Sequence, residues 1–309
     1  MKDVKDFAKI EENTIKHLVF SGGGPAGLIN YGAAMYLEKN GVWNIKNIKS
    51  IYGCSIGAFI GVIISLGYEW EWVNDYFIKR PWEKVFTLTA QSFIDAYEQK
   101  GLLGEKIILD CLKPLLCAKD LIEETTLKDL YEFNNIDIHM YTTNINSDVI
   151  EKVDLSHTTH PDLTVIKAIS MSASYPFGFK PICMDGACYI DGGLLNNYPL
   201  NDCLKQTNCK EDEVISFKNT WINTEDQKIT EECSIIEYLV CLMKKMQNMI
   251  STDNSQLNIK NTVNCKIEGL SGLNNWLNSV SSEESRKSLI DKGIQEATLF
   301  YNNYQRTEM

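Results

Sequence analysis

Short apolar runs that stop at glycine alternate with helical stretches along the first part of the chain. Residues 17–20 (HLVF) are one such run, and they end at Ser21-Gly22-Gly23-Gly24-Pro25-Ala26-Gly27. Leu28, Tyr31, Ala34, Met35 and Leu37 then recur near the helical period. They predict a helix over 28–40, closed by Asn40-Gly41, a pair suited to a left-handed cap. Residues 48–52 (IKSIY) predict a second strand that runs into Gly53-Cys54-Ser55-Ile56-Gly57. Ala58 to Leu66 is continuously apolar and predicts a buried helix ending at Gly67. Strand, glycine turn and helix, twice over, is the alternation of an α/β sheet protein.

The pattern changes further along. Residues 1–15 are a polar lead-in, and 68–135 are mostly helical and rich in aromatic residues. Strands are predicted at 136–145 and 187–191 (ACYID), the latter entering Gly192-Gly193, with a helix over 164–174 between them. Residues 201–232 are polar and read as loop, apart from a strand at 214–217 (VISF). Two helices close the chain, 234–250 and 283–303; Ser234 and Glu237 form a capping box for the first. Its apolar stripe is Ile235, Leu239, Leu242, Met246 and Met249. Core packing is the expected use of that stripe; the alternative is the lining of an acyl channel, to which Met adapts well. No internal repeat is visible.

Composition narrows the function classes. The chain has 309 residues with 44% hydrophobic content, enough for a substantial core in one large domain or two. A net charge of −11 argues against sequence-independent nucleic-acid binding, which needs a surplus of Lys and Arg. It also argues against attraction to strongly anionic membranes, but not against apolar docking on neutral lipid. Ten Cys lie without dense framework spacing, and residues 1–17 carry no secretory pattern. Reduced thiols and a cytoplasmic or intracellular setting are expected. No apolar run reaches the ~18 residues of a membrane-spanning helix. Self-association is left open.

Two glycine motifs carry candidate chemistry. Gly22-x-Gly24-x-x-Gly27 satisfies the dinucleotide fingerprint, but that fold asks for an acid at the tip of the second strand. Lys46 to Tyr52 contain none. The other functional reading is an oxyanion hole, in which consecutive backbone N–H groups at a helix start converge on one developing negative charge. A tight strand-to-helix turn without chemistry is the remaining reading. Gly53-Cys54-Ser55-Ile56-Gly57 is a G-x-S-x-G pentapeptide between a strand and a helix, the setting of an exposed nucleophilic serine.

A nucleophilic serine needs a base. The histidines are His17, His139, His157 and His160, and none follows position 160. A late histidine of the α/β-hydrolase order Ser, Asp/Glu, His is therefore missing. His17 and His139 lie on predicted strands and read as structural. A zinc pair formed by His157 and His160 with Cys183 and Cys188 is a remote alternative. The best remaining base is Asp191, at a strand end before Gly192-Gly193, where burial would raise its pKa toward useful values. An ordinary Asp-Gly turn is the competing reading.

The three motifs in this order resemble the patatin-like phospholipase family. The matching elements are Gly22-Gly23-Gly24, Gly53-Cys54-Ser55-Ile56-Gly57 and Asp191-Gly192-Gly193, with Ala168 to Pro176 and Phe179-Lys180-Pro181 between them. The resemblance covers about residues 16–200. It implies a three-layer α/β/α sandwich around a mostly parallel sheet, with extra C-terminal helices. It also implies a Ser55–Asp191 dyad without histidine and an oxyanion hole at Gly22, Gly23 and Gly24. The implied reaction is hydrolysis of acyl esters of phospholipids or related lipids through an acyl-serine, with no metal or cofactor. Residues 201–309 fall outside the resemblance and are expected to pack on the same domain. One position departs from the family: its glycine loop usually carries a basic residue where this chain has Ala26. A catalytically lapsed lipid-binding protein of the same fold is the alternative that this departure motivates.

An enzyme acting on lipid must meet an interface. Trp70, Trp72, Tyr76, Phe77, Trp82 and Phe86, interleaved with Lys79, Arg80 and Lys84, suit a peripheral membrane contact. A core-packed helical hairpin is the favoured use of these residues.

Overall fold

The two glycine-punctuated runs become neighbouring parallel strands. β1 (His17–Phe20) pairs with β2 (Ser50–Cys54), which sets Phe20 beside Gly53. Both strands are buried along their whole length, as expected of parallel strands covered on both faces. The computed structural model describes residues 14–86, 89–222, 229–250, 257–268 and 273–308. Most of the polar lead-in lies outside these residues.

After β1 come a short 3₁₀ turn and α1 (Gly27–Lys39); after β2 comes α2 (Ile56–Ser65). The middle of the chain supplies α3 (Trp70–Lys79), α4 (Ala90–Gln99), the short β3 (Gly101–Leu103), α5 (Glu105–Cys117) and α6 (Leu127–Asn134). There follow β4 (Asp137–Asn144), β5 (Glu151–Leu155), α7 (Val165–Ser172), β6 (Phe177–Phe179), β7 (Ile182–Met184) and β8 (Ala187–Asp191). The last part holds α8 (Gly193–Asn196), α9 (Leu200–Thr207), β9 (Val214–Trp221) and α10 (Ile235–Ile250). It closes with β10 (Thr262–Ile267), α11 (Leu273–Ser281) and α12 (Glu283–Glu308).

Eight strands form one mixed sheet in the order β10-β9-β1-β2-β4-β8-β7, with β5 also paired to β4. It is parallel from β10 to β4 and antiparallel beyond. Alternation along the strands builds two cores. Leu18, Phe20, Ile51, Ile215 and Phe217 join the larger one with α1, α2, α5 and α7. Val19, Tyr52, Tyr141 and Val214 join the smaller one with Leu200 and Cys203 of α9. Helices therefore cover both faces, and the three-layer α/β/α expectation holds.

The C-terminal residues are built into this frame. β10 extends the sheet beside β9. Helix α12 lies on α1 so closely that a Cβ on Gly293 would sit 2.0 Å from the Ile29 carbonyl oxygen.

Two expectations need correction. Residues 201–232 are less loop-rich than their polarity suggests: they hold most of α9 and an eight-residue β9. Leu200, Cys203, Leu204 and Thr207 recur at helical spacing, and they present their apolar members to the smaller core. The stripe on α10 is not core. The capping box is present, with Ser234 N–H donating to Glu237 and Glu237 N–H donating back to the Ser234 hydroxyl. The apolar side chains face outward instead: Ile235 is 69% and Met249 79% exposed. The aromatic stretch at 70–86, by contrast, packs mostly inward, with Trp72 left exposed. Phe77 and Trp82 are buried, Tyr31 meets Phe77 edge-on and Trp70 at a tilt, and the Arg80 guanidinium lies over the Tyr76 and Trp82 rings.

Candidate active site

The site forms where β1 and β2 end, the position at which parallel sheets of this kind present their loops to ligands. β2 delivers Cys54, and the chain then turns sharply at Ser55 with φ 54° and ψ −124°. A serine rarely adopts this backbone; the conformation lifts its side chain clear of both strand and helix. Close packing explains the flanking Gly57. A Cβ there would lie 2.5 Å from the Phe20 carbonyl oxygen, so the head of α2 touches the end of β1.

Asp191 arrives from an antiparallel strand. Register across β4 sets Cys54 beside Tyr141 and Asp191 beside Thr142, so the carboxylate reaches the level at which β2 ends. Gly192 lets it do so: a Cβ there would meet the Tyr141 carbonyl oxygen at 2.1 Å. The carboxylate is buried. One oxygen accepts the Gly193 N–H at 2.7 Å and faces the Cys54 thiol at 3.8 Å. Burial pushes the Asp191 carboxyl up to about 6, and the neighbouring Ser55, Gly193 and Cys54 donors keep it from rising further. A carboxylate so placed can take a proton from Ser55 near neutral pH.

The glycine loop lies against the serine. A Cβ on Gly22 would sit 3.3 Å from the Ser55 Cβ. The Gly22 N–H is already committed, donating to the Asn197 carbonyl at 3.0 Å. Its own carbonyl accepts the Asn219 side-chain amide at 3.0 Å. Among the described residues, the N–H groups of Gly23 and Gly24 have no intramolecular acceptor. Gly24 has φ 57°, which turns the loop into the helix start. Ala26 is fully buried in the larger core. At the tip of β2, where a dinucleotide fold needs an acid, stands Ser55.

The histidines stand apart from Ser55 and Asp191. His17 shares a hydrogen bond with Ser50 at 2.7 Å, and burial pushes it down to about 4. His139 stacks on Tyr52 between Asp137 and Asp154. His157 stacks on Tyr131 and bonds to Asp137 at 2.8 Å, and His160 pairs with the Thr159 hydroxyl. No cluster of potential metal ligands exists among the described residues, and all ten cysteines are free thiols.

Sequence reasoning missed the supporting residues. The Ser172 hydroxyl accepts the Ser55 backbone N–H at 2.9 Å and donates to the Tyr141 carbonyl at 2.6 Å. Ser174 supports Asp191 through its backbone, its carbonyl accepting the Asp191 N–H at 3.0 Å. Their one signal is a row of serines inside the apolar stretch at 165–174. Asn219 and Asn197 fasten the glycine loop from distant parts of the chain, and nothing local marks them. On the open side, Tyr175, Pro176, Ile190 and Leu194 meet Met243 and Gln247 of α10 around a cavity of about 10 Å³ beside Asp191.

A family model described as patatin-like phospholipase matches residues 18–204. The uncharacterized protein R571 of Acanthamoeba polyphaga mimivirus is 29% identical over 195 residues, 62% of this chain and 62% of that protein. The probable lipid hydrolase 463L of Invertebrate iridescent virus 6 is 27% identical over 67% of this chain and 68% of its own length. The crystal structure of VipD from Legionella pneumophila has the same fold, with a TM-score of 0.54 at 16% identity. That similarity covers 94% of this chain and 67% of VipD. Among the described residues, no helix is long and apolar enough to cross a membrane.

Proposed function

The chain belongs to the patatin-like phospholipase family, and from that premise we propose that it hydrolyses acyl ester bonds of phospholipids or related lipids. Ser55 is the nucleophile and Asp191 the base. The observation that carries this reading is that sheet register brings a serine held at positive φ to the level of a buried carboxylate, whose pKa is raised to about 6.

In the first half-reaction Asp191 takes the Ser55 proton while Oγ attacks the acyl carbonyl carbon. The N–H groups of Gly23 and Gly24 donate to the oxyanion of the tetrahedral intermediate. Gly22 serves by position, since its own N–H is engaged. Collapse breaks the ester bond, and the leaving alkoxide takes the proton from Asp191. In the second half-reaction Asp191 takes a proton from water, the hydroxide attacks the acyl-Ser55 carbonyl, and the free acid departs as Ser55 regains its proton. Residues 16–200 supply all of these groups, with 201–309 packed on the same domain.

The lapsed-protein alternative makes the opposite prediction at the same atoms. Labelling with a fluorophosphonate, combined with release of fatty acid from phosphatidylcholine vesicles, separates the two. The wild type should label and turn over; Ser55→Ala should do neither, and Asp191→Asn should label at least 100-fold more slowly. A wild type that binds vesicles without labelling would overturn the proposal in favour of a binding protein.

A further inference from the structure

Helix α10 presents apolar side chains on two sides. On the inner side Met243 and Gln247 close over the cavity beside Asp191, and the Gln247 side-chain amide donates to the Gly193 carbonyl. That cavity, about 10 Å³, holds no more than a single water molecule. An acyl chain cannot enter it while α10 stays in place. On the outer side Ile235, Tyr238, Leu242, Met246 and Met249 are all exposed. Their steps of three and four residues put them on one face, a row about 20 Å long at 1.5 Å per residue.

The surroundings of the row suit a lipid surface. Trp221 is 38% exposed, and the Lys244 ammonium lies 5.4 Å from the centre of its ring. Lys245 is exposed on the same helix. Aromatic rings and lysine stems at the edge of an apolar strip match the boundary between acyl chains and headgroups. The net charge of −11 selects the kind of surface, since an anionic bilayer would repel the molecule as a whole.

We propose that α10 is an interfacial lid whose outer row docks on a zwitterionic lipid surface, and that docking draws Met243 and Gln247 away from Asp191. The inference rests on the Ser55–Asp191 reading above. The driving force is differential: the closed lid offers the lipid one apolar face, whereas the released lid also offers Met243. The surface that carries the substrate therefore favours the state that admits it.

The test uses the full chain and phosphatidylcholine vesicles. Vesicle flotation of Ser55→Ala reads docking without turnover, and fluorophosphonate labelling of the wild type reads access to Ser55. Flotation is expected for Ser55→Ala and should fall at least tenfold when Met246→Glu and Met249→Glu are added. Labelling of the wild type should accelerate at least tenfold on adding vesicles, a measurement that needs no folded variant. Labelling that proceeds at one rate with and without vesicles, or a wild type that labels but never floats, would overturn the lid and leave the hydrolase reading standing. Flotation without any labelling would overturn the hydrolase reading instead. A dimer in vesicle-free solution that dissociates in the Met246→Glu, Met249→Glu variant would assign the row to a second copy of the chain and overturn the proposal.

Discussion

Ser172 holds Ser55 by its backbone: the Ser55 N–H donates to the Ser172 hydroxyl at 2.9 Å. That hydroxyl donates onward to Tyr141 in the adjoining strand, so the turn that carries Ser55 is tied to the sheet through one buried side chain. Replacing Ser172 with Ala leaves a backbone donor and a backbone acceptor unpaired. A stability loss of about 1–3 kcal/mol is expected. With the turn released, kcat should fall roughly 10- to 100-fold with little change in KM, because the binding surface is untouched. Steady-state kinetics with a thermal melt check both; a pure loss of stability at unchanged kcat would refute the positioning role.

As the proposed base, Asp191 should set the acid limb of the pH profile. Its carboxyl is raised to about 6 by burial, so kcat/KM should fall below pH 6 as the base takes up a proton. Stability should run the other way. The folded chain holds this proton up to about pH 6, whereas the unfolded chain releases it near 3.8, so the fold loses stability as pH rises from about 4 to 6 and carries the full cost of the buried charge above that. Asp191→Asn removes that charge. It should be more stable than wild type at pH 7–8 by up to roughly 3 kcal/mol, an advantage that vanishes below about pH 4. Denaturant melts at three pH values would show it.

His139 carries a charge with a structural use. Burial pushes its pKa down, but hydrogen bonds and charge from Asp137 and Asp154 raise it to about 9. Because the folded value lies above the ordinary 6.5, the stabilisation is complete below pH 6.5 and is lost as pH rises through 9. His139→Gln should remove this slope, worth at most roughly 3 kcal/mol, while Ser55 still labels at pH 7. Loss of labelling in a folded His139→Gln protein would count against a base made of Asp191 alone.

Gly192→Ala tests the approach of β8 to β4. The new methyl group would overlap the Tyr141 carbonyl, so Asp191 must retreat from Ser55. An overpacking cost of about 1–3 kcal/mol and a loss of labelling beyond 100-fold are expected. Near-normal activity would show that the dyad tolerates a wider separation.

What the sequence made legible was local. The run at 17–20, the pentapeptide around Ser55 and the strand before Asp191 each carry their signal within a few residues, and all three fold as read. The missed strands have weaker local signals. β5 is a polar strand, EKVDL, and β10 shows its alternation only through Val263, Cys265 and Ile267. The orientation of α10 was not legible, because one amphipathic pattern serves a core face and an exposed face equally well. The anchors Asn197 and Asn219 become visible only when distant segments meet, and the row of serines that holds Ser172 shows no partner until the fold supplies Ser55 and Tyr141.

The position of β1 has a consequence for the life of the molecule before it is complete. β1 is made before both strands that flank it, β2 and β9, and the Ser21 and Gly22 N–H groups wait for Phe217 and Asn197. At bacterial or eukaryotic synthesis speeds these partners follow roughly 10–40 s after β1. Until then the glycine loop has no fixed shape beside Ser55. A nascent chain able to cleave lipid would endanger the membranes of the cell that makes it. With Ser55 as the proposed nucleophile, activity should appear only after β9 is made and the far side of the sheet closes.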